Sequence, residues 1–325
     1  MFKAIRETLD YGSATFGAYP LKQFSMAEIP QYRGAATAYP GLIFSAERIN
    51  FLSNHHLTGK IDQAYAITSH EVAHQWWANM LHPASVPGRP TLTESLAKYT
   101  ENIRIEKTFG KMYLRKYMTL DNRLYFTAHN PEEKEESLSE TNSESFVYYQ
   151  KGGLIMYAIK EALGEESFNK VLKQLVENHR NPNRKATMED FYKLLLVHAP
   201  ESQKNFIRQS LMEVTTYSMA VKVLRCVALA NGQYKIDLRL TAKLHVQGSA
   251  ASRLSPDMDV DIAAFDVMPL EWADDTRPLF IQKYRLKQPV NEVSIIMNKK
   301  PKIIAIDPYQ YLLDENKDDN VAEIK

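Results

Sequence analysis

A chain of 325 residues is long enough for two domains, each with its own core. Its 40 basic and 39 acidic residues leave a net charge of +1, which argues against nucleic acid as a partner, a role that needs a concentrated basic face. The single cysteine, Cys226, excludes an internal disulfide framework and reads as a buried strand residue rather than a nucleophile.

No apolar run reaches the length of a membrane span, and the N-terminus opens no secretory signal, so the chain itself reads as soluble. Residues 1–54 form a mixed, strand-rich part. Ala4 to Leu9 reads as a short helix interrupted by Gly12 and Gly17, and Leu42 to Ser45 as a strand. Lys60 to Met80 is helical, with Ile61, Ala64, Tyr65, Thr68, Val72 and Trp76 at the spacing of one buried face. Pro83, Pro87, Gly88 and Pro90 make a loop, and a second helix runs from Thr91 to Phe109, stopped by Gly110. Asn130 to Ser143 is acid-rich and reads as a solvated loop. Helices follow over Ser145–Leu163, Glu165–His179, after the capping-box sequence Thr187-Met188-Glu189-Asp190, and over Glu201–Glu213.

Near residue 217 the period changes to that of strands. Tyr234, Ile236, Leu238, Leu240, Leu244 and Val246 alternate with polar residues, Met258, Val260 and Ile262 repeat the pattern, and shorter runs follow at 279–286, 292–297 and 302–306. The fold class expected is α+β: a mostly helical domain over 1–216 (strand-rich 1–54, helical 55–216), an antiparallel β-sandwich over 217–314, and a polar tail over 315–325 that frays.

The chemistry sits in His70-Glu71-Val72-Ala73-His74. Two histidines at i and i+4 share one helix face, so both imidazoles can reach one metal ion. With 9 histidines in the chain, the pattern would arise by chance in only about one or two such chains in a hundred. A catalytic zinc takes three protein ligands and leaves a position for water. Glu94, separated from His74 by nineteen residues and on the next helix, is the candidate third ligand. The competing reading of Glu94 is an exposed first-turn carboxylate that complements the helix dipole. Glu71 points away from the ligand face and can accept a proton from a zinc-polarised water as it attacks a carbonyl. The resulting oxyanion calls for a further donor, for which a tyrosine hydroxyl is suited.

His70–His74 with Gln75-Trp76-Trp77, the segment Glu94-Ser95-Leu96-Ala97-Lys98-Tyr99, and Tyr148-Tyr149-Gln150-Lys151-Gly152-Gly153 together resemble the M1 (gluzincin) zinc aminopeptidases. The resemblance runs from about Phe16 to residue 213, and the β domain that follows is similar to the one found next in that family. It implies a thermolysin-like domain holding one zinc ion on His70, His74 and Glu94, with Glu71 as general base and Tyr149 as the transition-state tyrosine. Tyr148 is the runner-up for that last role, and both tyrosines read as core packing when the resemblance is set aside.

The match departs from the family in three places. The interval to Glu94 is one residue longer than the usual eighteen. The Gly-x-Met-Glu-Asn segment, whose Glu holds a substrate's free α-amine, is replaced by Gly34-Ala35-Ala36-Thr37-Ala38-Tyr39-Pro40, without a carboxylate. The family's N-terminal β domain has no counterpart within these 325 residues. An ammonium without its acids forgoes charge-assisted hydrogen bonds of about 1.5–3 kcal/mol each. The expected function is therefore zinc-dependent hydrolysis of peptide substrates, with exo- or endopeptidase mode open. The alternative is a catalytically quiet zinc-bound module that binds peptides or scaffolds a membrane transporter assembly. The resemblance extends to bacterial proteins that fuse a transporter permease to an M1 domain, which would make this the soluble extracytoplasmic (periplasmic) part of a larger membrane protein. Without that link, the lack of a targeting signal points to the cytoplasm.

Overall fold

The computed structural model describes residues 1–30, 36–52, 61–248 and 256–324. In chain order the helices are α1 (Phe2–Thr15), α2 (Glu47–Asn50), α3 (Gln63–Ala73), α4 (Leu96–Phe109), α5 (Lys111–Ala128), α6 (Gly152–Leu163), α7 (Glu165–His179), α8 (Met188–His198) and α9 (Glu201–Met212). Strands β1 (Ser25–Ile29), β2 (Ala36–Tyr39) and β3 (Leu42–Ala46) lie between α1 and α2. After α9 come β4 (Thr215–Ala228), β5 (Tyr234–Val246), β6 (Met258–Phe265), β7 (Phe280–Leu286), β8 (Val290–Met297), β9 (Ile303–Ile306) and β10 (Val321–Glu323). One π-helical turn, Thr91–Ser95, leads into α4 and another, Val147–Lys151, into α6. The class is α+β, with the strands segregated from most of the helices.

Two units make up the chain: Met1–Phe109 with Glu136–Lys204, and Gly110–Glu135 with Asn205–Lys325. The second unit thus includes α5, taken from within the stretch read as the helical part of the first domain.

In the first unit, the opening helix is longer than Ala4–Leu9. It passes straight through Gly12, and the reason is contact: a Cβ there would lie 2.5 Å from the Trp76 ring. Glu7 of α1 gathers donors from two other helices. Tyr65 of α3 donates to it at 2.7 Å, and Thr108 and Arg104 of α4 at 2.9 and 3.2 Å. The three-stranded sheet has the order β1-β3-β2, with β1 parallel and β2 antiparallel to β3, so β2 is an edge. The loop expected to be solvated is partly packed: Leu138 is buried, and its carbonyl accepts the Thr91 hydroxyl at 2.6 Å. The Thr187–Asp190 capping box forms as read, closing the N-terminus of α8.

The second unit holds two antiparallel sheets, of order β10-β9-β6-β7 and β4-β5-β8. In β5 the buried residues are Ile236, Leu238, Leu240, Ala242 and Leu244, the alternation of a strand with one face inward. The tail does not fray. Val321–Glu323 pairs with β9, and the buried ammonium of Lys317 donates to the carbonyls of Leu312 and Gln310 at 2.9 and 3.3 Å beside the Asp307 carboxylate at 3.7 Å. A charge seated among these acceptors gives a polar segment a fixed place that composition alone does not show.

Asp314 is buried in the same loop. Burial pushes its carboxyl up from 3.8 to about 7, against the opposing pull of Lys317. A carboxyl whose folded pKa is raised contributes stability that is complete below its unfolded pKa and is lost as pH rises through its folded pKa. The contribution of Asp314 is therefore expected to fade between about pH 4 and pH 7. Urea midpoints measured across that range should fall less with rising pH in Asp314→Asn than in the parent; parallel curves would contradict this assignment.

Candidate metal centre

The helix α3 begins at Asp62, whose carboxylate accepts the Tyr65 N–H at 2.9 Å and caps the first turn. It is buried nearly all round, from Ala64 to Ala73 apart from Ile67, rather than along one face. It also stops at Ala73 instead of running to Met80. Gln75, Trp76 and Trp77 beyond it are all buried, each bonded to a different part of the chain. The backbone turns instead, with Ala78 at φ +129°. The two indoles then donate to different partners, Trp76 to the Gly17 carbonyl and Trp77 to the Thr100 hydroxyl, each at 2.8 Å. Gln75 clamps the hairpin of β2 and β3: its Oε1 accepts the Gly41 N–H and its amide donates to the Tyr39 carbonyl, both at 2.9 Å.

Three donor atoms converge at the end of this helix. One ligand atom each from His70, His74 and Glu94 all lie within 4.8 Å of one another. Glu94 Oε2 is 3.3 Å from His70 Nε2 and 3.4 Å from His74 Nε2. The other ring nitrogens are already occupied. His74 Nδ1 donates to the Trp77 carbonyl at 2.9 Å, and His70 Nδ1 faces Glu101 Oε2 at 3.3 Å. Those partners hold each ring by its Nδ1 and leave Nε2 turned toward Glu94, the arrangement that outer partners give metal-bound histidines. Two imidazoles and a carboxylate in this disposition fit a zinc ion with room for a fourth ligand.

The carboxylates tune one another through these contacts. Burial disfavours a charged His70, but the hydrogen bonds to Glu101 and Glu94 outweigh it and raise its pKa to about 10. Burial likewise opposes ionisation of Glu94, yet the two histidines hold its carboxyl well below the usual range. Glu101 is buried too, and Lys98, at 2.7 Å, leads the interactions that keep it low. Glu71 moves the other way, its carboxyl raised by burial despite the histidines.

Glu94 and Tyr149 each sit in one of the two π-helical turns. Such wide turns recur at functional sites, where they re-aim a side chain within an otherwise regular helix. The turns are fastened to each other by the Ser95 hydroxyl, which donates to the Tyr148 carbonyl at 2.6 Å. Gly152 and Gly153 let α6 come this close: a Cβ on the first would overlap Ser95, and on the second Lys98. Tyr149 then lies with its ring 5.7 Å from that of His70, and burial, followed by the charge of Glu94, raises its phenol. Glu71, His70 and Tyr149 line one cavity of about 280 Å³ together with Ala36 of β2. Tyr148 is not among its lining residues; it borders a second cavity on the other side of Tyr149.

All five residues singled out in the sequence, His70, His74, Glu94, Glu71 and Tyr149, are thus gathered in one place. Glu101 and Ser95 were missed. The spacing of seven between Glu94 and Glu101, two turns on one face, is the signal that could have found Glu101. Ser95 carried no signal, because its role depends on the approach of α6.

An α+β fold that brings two histidines and a carboxylate together at the end of one helix defines a candidate metal-binding domain. Residues 2–214 match the peptidase family M1 domain, and the chain belongs to that family of zinc enzymes. It is 27% identical over 196 residues to human endoplasmic reticulum aminopeptidase 2, covering 56% of this chain and 20% of that protein. It is 27% identical over 202 residues to aminopeptidase M1 of Arabidopsis thaliana, covering 58% and 22%. The chain therefore spans about a fifth of the length of the curated relatives it matches. Among solved structures, aminopeptidase A of Legionella pneumophila in complex with aspartic acid superposes with a TM-score of 0.62 at 14% identity, over 96% of this chain and 34% of that one, a likeness of fold.

Replacing Glu101 with Gln keeps the shape but removes the charge behind His70. Zinc affinity, read by competition with a chromophoric chelator, is expected to drop about 10- to 100-fold. Unchanged affinity would show that Glu101 does not support the ligand.

Proposed function

We propose that this chain is a peptide-bond hydrolase in which His70, His74 and Glu94 hold one zinc ion. The observation that carries this reading is the convergence of three ligand atoms within 4.8 Å beside a cavity that Glu71 and Tyr149 share. When bound there, zinc supplies Lewis-acid polarisation of a water molecule and of the scissile carbonyl. Glu71 takes the proton of the attacking water on its carboxylate, and its upward shift suits a group that must later return that proton to the leaving amine. The Tyr149 hydroxyl, kept protonated by burial and by Glu94, donates to the oxyanion. β2, an edge strand among the described residues, contributes Ala36 to the cavity and offers an extended peptide a backbone partner.

Glu71→Gln is expected to bind zinc like the parent while peptide turnover falls by about 10²- to 10⁴-fold. Equal turnover by parent and variant on a panel of fluorogenic peptides would sink the mechanism.

The acids among the described residues lining this cavity are Glu71 and Glu101, and Glu101 is engaged by Lys98 and His70. Glu71 is reserved for proton transfer, so we propose that a free substrate amine has no dedicated anchor. N-acetylated and free-amine versions of one peptide should then be cleaved with kcat/KM values within about tenfold of each other. A strict requirement for the free amine would overturn this point.

A further inference from the structure

The second cavity, of about 370 Å³, carries a charge that the hydrolytic residues do not use. Arg89 lines it together with Glu94, Tyr148, Tyr149, Thr93 and Asn142. Its guanidinium makes no hydrogen bond or ion pair among the described residues. The neighbouring cation of the site, Lys98, is neutralised by Glu101 at 2.7 Å and lies in the other cavity. The two cavities flanking Tyr149 therefore differ in kind. One has Ile49, Ile67 and Ala36 in its wall; the other has an uncommitted arginine.

An exposed arginine is ordinarily a solvated surface charge. Two features set this one apart. Its backbone is held in place: the Arg89 N–H donates to the Val86 carbonyl at 3.2 Å, and its own carbonyl accepts the Thr93 hydroxyl at 3.4 Å. It also stands five residues before Glu94, at the head of the π-helical turn, so the chain segment that presents the candidate ligand also presents the guanidinium. An arginine guanidinium matches a carboxylate with two parallel N–H···O bonds, a geometry that lysine does not reproduce.

We infer that Arg89 is a specificity determinant that receives a substrate carboxylate, either the C-terminal carboxylate of a short peptide or an acidic side chain. The inference rests on the peptidase reading above. It places the anion in the cavity that Arg89 and Tyr148 line, not in the one that Glu71 and Ala36 line.

Binding to zinc-loaded Glu71→Gln protein tests it without turnover. Three fluorescent N-acetylated probes serve: a peptide with a free C-terminal carboxylate and no acidic side chain, its C-terminal amide, and that amide with one acidic side chain added. With Arg89 present, at least one carboxylate-bearing probe should bind about tenfold or more tightly than the plain amide. Whichever probe it is identifies the source of the anion. Arg89→Gln should abolish the preference and Arg89→Lys should retain part of it, with thermal unfolding unchanged because the side chain is exposed. Equal binding of all three probes, no binding of any, or a preference that survives Arg89→Gln overturns the inference. An Arg89-dependent preference in a protein whose Glu71 parent cleaves nothing would instead sink the peptidase reading and leave this subsite standing.

Discussion

The candidate centre depends on how closely α6 approaches the turn that carries Glu94. The Ser95 hydroxyl reaches the Tyr148 carbonyl only because Gly152 and Gly153 leave no side chains in the way. That contact sets the distance between two π-helical turns, and with it the position of Tyr149 relative to Glu94 and His70. Interior packing transmits a displacement of one helix to whatever is bolted to it. Glu94 and Tyr149, separated by more than fifty residues of chain, are in this way held as one piece.

Charge is the second constraint. Glu71, Glu94 and Glu101 are set around two histidines with Lys98 as the fixed cation. With the imidazoles neutral, the acids outnumber the cation paired with them, an excess that a bound dication would offset. Partly buried charges without such compensation are costly, so the same residues that favour a metal also need one, or a proton on His70, to be at ease. The division of labour follows from surroundings rather than residue type. Glu94 is pulled low by two histidines, whereas Glu71 is left to the effect of burial.

Much of this was legible in the sequence because it is local. His70 and His74 on one face, Glu94 on the following helix, the capping box at Thr187 and the alternation of β5 are all written at fixed spacings. What escaped was decided by partners distant in sequence. The helix α5 hides its period because Asp121 and Asn122 interrupt the buried stripe, and Asn122 is there to donate to the Leu312 carbonyl at 3.0 Å. Gly12 looked like a break in α1 and is instead the seat of Trp76. The early end of α3 came from two adjacent tryptophans that each needed a different pocket. Lys317, polar and near the end of the chain, gave no hint that its ammonium would be enclosed.

The clamp made by Gln75 has an evolutionary consequence. Both of its bonds go to main-chain atoms, the Gly41 N–H and the Tyr39 carbonyl, so it holds the hairpin without reading its side chains. Residues along β2 can therefore drift while the strand stays docked beside the histidine helix. The sequence from Gly34 to Pro40 carries no carboxylate. Side-chain identity along β2 and the placing of that strand beside α3 are thus held on separate terms, because the bonds of Gln75 read only the main chain.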